Sequence, residues 1–364
     1  MEKRSTVDYL EVAGLDLGDK YSHLCILNVE DGTVEEESRI PTTPKALKRR
    51  FSTCPKMKIA IEVGTHSPWV SRLLEECGHE VIVANPRKVA LISRNKNKSD
   101  KIDALLLARM VRADPELLSP ISHRGETAQI ALGVLRSRGA LMDARTALVN
   151  HVRGATKAVG SRITKCSTAC FATKAIDQIP EALKPALQPV LGIIGSLTAQ
   201  IREYDKRIEI MGKESFPDAA RLRQVQGVGP LTSLAYVLVL EDPSRFDKSR
   251  SVGAYLGLVP AKSASSESDP QLRITKEGDP FLRKQLVNSS HHILGVFGKD
   301  SDLRTHGLKI AERGGKNAKK RAVVAVARKL SVLLHVLWRT GADYEPLLNQ
   351  QRLAKRKDAP SDAG

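Results

Sequence analysis

Two stretches, Glu11-Val-Ala-Gly-Leu-Asp-Leu-Gly18 and Lys58-Ile-Ala-Ile-Glu-Val-Gly64, decide how this chain folds. Each is a short apolar run with strand character that meets a carboxylate and then a glycine. Asp16 and Glu62 therefore stand where side chains leave the end of a sheet. A third stretch, Lys98-Ser-Asp-Lys-Ile-Asp-Ala104, opens a helical pattern. Its Asp100 and Asp103 are three residues apart and share one helix face. Four carboxylates gathered together repel one another unless a cation lies between them, and hard oxygen ligands suit Mg²⁺ or Mn²⁺.

Each acid also has an ordinary explanation. Asp16 can be a turn residue, with Asp19 as a rival for any role. Asp100 and Asp103 can complement the positive end of a helix. Glu62 is the least comfortable in that reading, because an ionised Glu in a central strand needs a partner.

The elements around these acids alternate. Val12–Leu17, Ser22–Val29 and Thr33–Ile40 read as strands, the last two joined by an Asp31-Gly32 turn. Pro44–Phe51 reads as a helix, Lys58–Val63 as a buried strand, Pro68–Cys77 as a helix and Glu80–Ala84 as a strand. A helical pattern follows from Val89 to Val111, with a basic interruption at Arg94–Lys101. Three antiparallel strands followed by strand–helix alternation is the element order of a ribonuclease-H-like α/β domain.

Further on, Glu126–Ser161 and Ile179–Lys213 carry apolar residues at helical spacing. Val134, Leu135, Leu141, Leu148 and Val149 form one stripe, and Leu191, Ile194, Leu197, Ile201, Tyr204 and Ile208 another. The pattern is that of an antiparallel helical hairpin or coiled coil, which could also join two copies. A third region starts near Phe216 and is mainly helical. It holds the tight turn Val225-Gln-Gly-Val-Gly-Pro230, whose backbone N–H groups could face a phosphate in helix-hairpin-helix fashion. Helices are expected over Phe281–Phe297 and Ala318–Trp338.

The 364 residues carry 58 Lys and Arg against 41 Asp and Glu, a net charge of +17. Such a surface favours a polyanion, nucleic acid first among them. Candidate phosphate contacts are Arg87, Lys88, Arg94, Lys96, Lys98 and Lys101 beside the acids, and Arg313, Lys316, Lys319, Lys320 and Arg321 at the start of the last long helix; a solvated face is the alternative for both groups. Aromatic residues make up only 4%, which argues against a base-stacking platform for single strands. No apolar run is long enough to span a bilayer and the N-terminus lacks a signal core, so a cytoplasmic protein without membrane contact is expected. Five cysteines without paired spacing give no zinc motif. His66 reads as a helix-start residue and His291-His292 as structural. The serines of the loop after Gly257-Leu-Val-Pro260 read on their own as a linker.

Taken together, Gly14-Leu-Asp-Leu-Gly18, Ile61-Glu-Val-Gly64, Lys98-Ser-Asp-Lys-Ile-Asp-Ala104, Val225-Gln-Gly-Val-Gly-Pro230, Tyr255-Leu-Gly-Leu-Val-Pro260 and Arg273-Ile-Thr-Lys-Glu-Gly278 resemble the DEDD-type insertion-sequence transposases of the IS-one-ten kind, relatives of the pilin-gene invertases. The resemblance runs from about residue 12 to 340. It implies a RuvC-like catalytic domain over 1–120, a helical coiled-coil region over 121–215 and a mainly α transposase domain with a serine loop over 216–343; the polar tail over 344–364 reads as disordered from its composition. It implies that Asp16, Glu62, Asp100 and Asp103 bind a divalent metal and that a serine in that loop is the nucleophile. Ser265 holds the matching position, with Ser266 standing where the family has glycine, and Ser266 and Ser263 are the fallbacks. It further implies double-stranded DNA (element ends and target) as substrate, a structured guide RNA encoded by the element, and a homo-oligomer, dimer or tetramer.

Three other readings compete. A hydrolytic nuclease of the RuvC junction-resolvase kind needs the acids but no serine. An actin-like ATPase or sugar kinase would share the Gly-Leu-Asp-Leu-Gly loop but needs a duplicated half that the helical middle does not offer. A purely structural DNA-binding protein leaves the four acids without purpose.

Overall fold

The structure is a computed structural model that describes residues 9–85, 99–262 and 272–357, with side chains to residue 352. It divides into two compact units, Met1–Arg124 and Gly125–Gly364.

The first unit is built on a five-stranded sheet: β1 Glu11–Asp16, β2 Tyr21–Asn28, β3 Val34–Pro41, β4 Lys58–Glu62 and β5 Glu80–Ala84. Their order across the sheet is β3-β2-β1-β4-β5. β1, β2 and β3 pair antiparallel, while β4 and β5 lie parallel to β1. The α/β alternation read from the sequence is thus present, with each strand and the first two helices starting and ending within a residue or two of expectation; of the helical pattern expected over Val89–Val111, residues 89–98 lie outside the described residues and the described helix begins at Asp100. Gly32 takes the turn between β2 and β3 with a positive φ of 74°, and Asp31 accepts the Thr33 N–H at 2.8 Å, as an Asx turn does.

The strands alternate between two apolar layers. Ala13, Leu15, Ile59 and Ile61 face α1 (Pro44–Phe51) and α2 (Ser67–Glu76) together with Leu47, Phe51, Val70 and Leu74. Val12, Cys25, Leu27, Ala60 and Ala84 face α3 (Asp100–Ala113) with Ala104, Leu107, Ala108 and Val111. α3 lies directly on β1, and Gly14 is what allows it. A Cβ at residue 14 would overlap the Ala104 carbonyl oxygen, come within 2.5 Å of the Ala108 nitrogen and within 2.9 Å of the Leu107 Cβ.

The second unit is helical. α4 (Glu126–Ala158) and α6 (Lys184–Glu214) are long and pack on each other, with the short α5 (Phe171–Ala175) beside them. On α6 the buried residues Leu187, Leu191, Ile194, Thr198 and Ile201 are spaced alternately four and three apart, the seam of a coiled coil. The matching seam of α4 contains something that apolar stripes do not reveal. Arg145 is 5% exposed within it, donating to Thr198 Oγ1 at 3.2 Å and contacting the Met142 sulfur. Its Nε–H has no partner. One heptad earlier Arg138 donates to Asp205 at 2.7 Å. This polar layer divides the seam into two apolar ends, Leu132, Leu135 and Ile208 on one side and Val149, Val152, Leu187 and Ile194 on the other.

Beyond the pair come α7 (Asp218–Leu222), α8 (Pro230–Leu240), α9 (Ser251–Tyr255), α10 (Pro280–Leu294), α11 (Asp302–Ala311), α12 (Ala318–Thr340) and α13 (Leu348–Lys357). α8 is buried on every side from Thr232 to Leu240 and forms the centre of this core. Its Tyr236 hydroxyl donates to the Ser331 carbonyl on α12 at 2.5 Å. His335 of α12 is buried between Ser249 Oγ and the Pro243 carbonyl, each at 2.9 Å.

Two expectations change here. The helix expected over Phe281–Phe297 stops at Leu294, where Gly295 turns out of it. The tail expected to be disordered contains α13, because α11 receives it: Asp302 accepts the Asn349 N–H at 2.7 Å and Gln350 donates to Thr305 at 3.0 Å.

Gly14→Ala is expected to lower the stability of the first unit by about 2–3 kcal/mol through overpacking, measured by urea unfolding. Arg145→Met is expected to raise it in the second unit, because a buried cation with no ion pair and an orphaned Nε–H is replaced by a flexible apolar side chain; the midpoint of thermal unfolding checks this.

Candidate active site

Asp16 ends β1 and Glu62 ends β4, its parallel neighbour. The last paired residues are Leu15 and Ile61, so Asp16 and Glu62 come one step later on adjacent strands. Alternation turns both to the face that α3 covers. α3 begins there: the Ser99 hydroxyl caps it by accepting the Ile102 N–H at 3.3 Å, and its first turn carries Asp100 and Asp103. The Gly14 contact seats this helix on β1, so four acids that are distant in sequence meet at one end of the sheet.

They sense one another. Burial, followed by the charges of Asp100, Asp103 and Glu62, pushes the Asp16 carboxyl up from 3.8 to about 6. One oxygen of Asp103, Oδ1, is buried without any hydrogen-bond partner, which is costly for a carboxylate. Asp100 is turned outward, 67% exposed, with Oδ2 3.6 Å from His23 Nε2. Among the described residues, no three His, Cys, Asp or Glu side chains are arranged to hold an ion as they stand. The donor set, all hard oxygen with one orphaned, fits a divalent cation such as Mg²⁺ or Mn²⁺.

Asp19 stands apart from this group. It is exposed and lies 3.6 Å from His66 Nε2, and it is not among the charges that raise Asp16. His66 itself accepts the Trp69 indole N–H at 3.1 Å. A residue missed by the sequence analysis is His23. It is the antiparallel partner of Asp16 in the β1–β2 register, so it shares Asp16's face. The signal was present: a hairpin whose strands end at Asp16 and begin at Tyr21 places a residue near His23 opposite the acid.

Of the expected phosphate contacts, Arg87, Lys88, Arg94, Lys96 and Lys98 lie outside the described residues. Lys101 is exposed and pairs with Glu37 at 2.6 Å. Arg313, Lys316, Lys319, Lys320 and Arg321 are all exposed, and the first turn of α12 has no acid to oppose them. Ser263, Ser265 and Ser266 lie outside the described residues as well. The frame that carries their loop is described: Ala261 N–H donates to the Arg273 carbonyl and Thr275 N–H to the Val259 carbonyl, both at 2.9 Å, so the loop leaves from and returns to one β-bridge. Gly257, at φ 63°, lets this bridge pack on the Glu277 backbone.

Two family profiles match this chain, one described as a DEDD transposase of the IS110 type over residues 13–159 and one as "Transposase IS116/IS110/IS902 family" over residues 219–302. Both describe transposases, and together they span more than half of the chain. The first contains all four acids and the second the serine loop. Among curated proteins, the chain is 25% identical to the "Transposase for insertion sequence element IS1111A" of Coxiella burnetii, covering 92% of each. It is 27% identical to a "Probable family 20 transposase" of Pseudomonas aeruginosa, over 81% of this chain and 88% of that one. It is also 27% identical to the "Transposase for insertion sequence element IS1328" of Yersinia enterocolitica, over 75% and 81%. The chain belongs to the IS110 family of DEDD transposases. No helix among the described residues is long and apolar enough to cross a membrane.

The raised Asp16 carboxyl has a consequence for stability. The folded unit holds this proton more tightly than the unfolded chain does. The resulting stabilisation is full below about pH 4 and is lost as pH rises through about 6. In metal-free protein Asp16→Asn is therefore expected to stabilise the unit at neutral pH, on the order of 1–2 kcal/mol after allowance for partial solvent screening. The gain is expected to vanish near pH 4. Denaturant unfolding at the two pH values checks this.

Proposed function

We propose that this chain cuts and rejoins DNA as the transposase of an insertion sequence, with Asp16, Glu62, Asp100 and Asp103 as its metal-binding acids and Ser265 as its nucleophile. The observation that carries the reading is the raised Asp16 carboxyl among three other acids at one end of the sheet, in a chain of net charge +17. Acids that raise each other's affinity for protons raise their affinity for a cation for the same reason. A strand order of β3-β2-β1-β4-β5 supports a ribonuclease-H-like, RuvC-like domain. The domain scheme is 1–120 catalytic, 121–215 helical, 216–343 transposase with the serine loop, and 344–364 tail.

A divalent ion held by the four carboxylates, Mg²⁺ or Mn²⁺, would polarise the scissile phosphate and offset charge building on its oxygens. The chain's own residues do the rest. The exposed cations of α12 and the basic segment before α3 hold the phosphodiester backbone. The Ser265 hydroxyl attacks phosphorus, an O–P bond to serine forms, and the O–P bond to one DNA strand breaks. The serine proton ends on the released DNA oxygen, giving a free hydroxyl. Because one phosphoester replaces another, the reverse attack by a second strand's hydroxyl rejoins DNA without a nucleotide cofactor. The working unit is a homo-oligomer, and an element-encoded guide RNA selects sequence by pairing, which suits a basic surface with few base-reading side chains.

Covalent capture tests this. Wild-type protein with Mg²⁺, RNA from the flanking region and labelled junction DNA is expected to give a denaturant-resistant protein–DNA adduct. The adduct is expected to be absent from Asp103→Asn and Ser265→Ala, with DNA binding retained. Nicked DNA without an adduct would instead identify a hydrolytic nuclease.

A further inference from the structure

The helix α10 ends at Leu294, and the next four residues, Gly295-Val-Phe-Gly298, form a tight turn closed by the Gly298 N–H on the Gly295 carbonyl at 3.1 Å. Its two central side chains, Val296 at 89% and Phe297 at 79%, are the most exposed large apolar groups among the described residues. The centre of a turn is usually Gly, Pro, Asn, Asp or Ser, so neither side chain serves the turn itself. The other five phenylalanines of the chain are buried or half-buried.

This tip is braced. Arg304 donates from one Nη1 to the Ile293 carbonyl at 2.6 Å and the Gly295 carbonyl at 2.7 Å. Gln226, in the Gly-Val-Gly turn before α8, donates to the Phe297 carbonyl at 3.0 Å and accepts the Lys299 N–H at 2.7 Å. Gly298 is pressed so closely on Ile293 and Arg304 that a Cβ there would overlap both. Five hydrogen bonds and a glycine contact thus hold two apolar side chains out into solvent in a fixed pose.

The size of the tip selects its occupant. Two side chains offer roughly 300 Å² of surface, well short of the ~800 Å² per partner of a stable protein interface. That is enough for a wedge between two base pairs, where Phe, Leu, Ile or Met unstack a step and bend the duplex. The charge fits as well. The exposed Lys299 directly follows the tip, and the basic start of α12 belongs to the same unit.

We propose that Val296 and Phe297 form a wedge that enters a base step of duplex DNA while Lys299 and other exposed cations of the same unit hold the backbone. This rests on the reading that the chain acts on DNA. It also assigns a base contact to a protein whose 4% aromatic content argues against a stacking platform for single strands.

The experiment uses full-length protein and a mixed-sequence duplex at low salt, followed by fluorescence anisotropy. Binding by the wild type tests the DNA reading by itself. Phe297→Ala is expected to bind about tenfold more weakly with the same salt dependence, because no phosphate contact is lost. Phe297→Trp is expected to bind as the wild type does, with its added indole emission quenched by the duplex. Unchanged affinity in Phe297→Ala, or unquenched emission in Phe297→Trp, overturns the wedge while leaving the DNA reading standing. A change in the sedimentation of Phe297→Ala without DNA overturns it in favour of a contact between copies. An effect confined to single-stranded RNA overturns it too.

Discussion

The close approach of α3 to β1 at Gly14 is the constraint on which the acid group depends. Helix and strand backbones come nearer here than any side chain at residue 14 would permit. That contact fixes the height and rotation of α3, and with it the first turn that carries Asp100 and Asp103. Were the helix displaced by one methyl group, Asp103 would no longer sit over the ends of β1 and β4, and a divalent ion tolerates little error in oxygen placement. The core beneath therefore reaches beyond its own packing: Ala104, Leu107 and Ala108 are small or well-packed groups that keep the acids in place.

The acid group stores unfavourable energy. Asp16 holds its proton to about pH 6 and Asp103 keeps a buried oxygen without a partner. Such groups persist because the surrounding layers over-determine the fold. The same logic appears in the helical pair, where Arg145 lies buried with an unpaired Nε–H. An all-apolar seam between α4 and α6 could slide by a heptad; a polar layer of Arg138–Asp205 and Arg145–Thr198 has one satisfactory register. Both units thus give up some stability, one by gathering four acids and the other for a fixed alignment.

The second unit distributes its polar and apolar surface in a way that suits a polyanion. Its core is centred on α8 and closed by the Tyr236 and His335 hydrogen bonds to neighbouring elements. What remains outside is the basic start of α12, the β-bridge that frames the serine loop, and the Val296–Phe297 tip. Gln226 links that tip to the Gly-Val-Gly turn, so two features that are far apart in sequence present one edge.

By itself the sequence determined the element order, the strand ends that carry Asp16 and Glu62, the helix start that carries Asp100 and Asp103, and the long helical pair. These are legible because apolar periodicity and capping residues act over a few neighbours: Ser99 caps its own helix, and the Asp31-Gly32 turn closes its own hairpin. Only the tertiary structure decided which residues meet. Gly14 reads as one more glycine in a strand until a helix lies on it. His23 becomes Asp16's neighbour through strand register, and Arg145 is buried because α6 covers it. Phe297 shows the converse, an apolar residue expected inside a helix that a braced turn delivers to solvent. In each case the deciding contact joins residues with no local relation, and such contacts are set by packing and burial rather than by the chain's immediate neighbours.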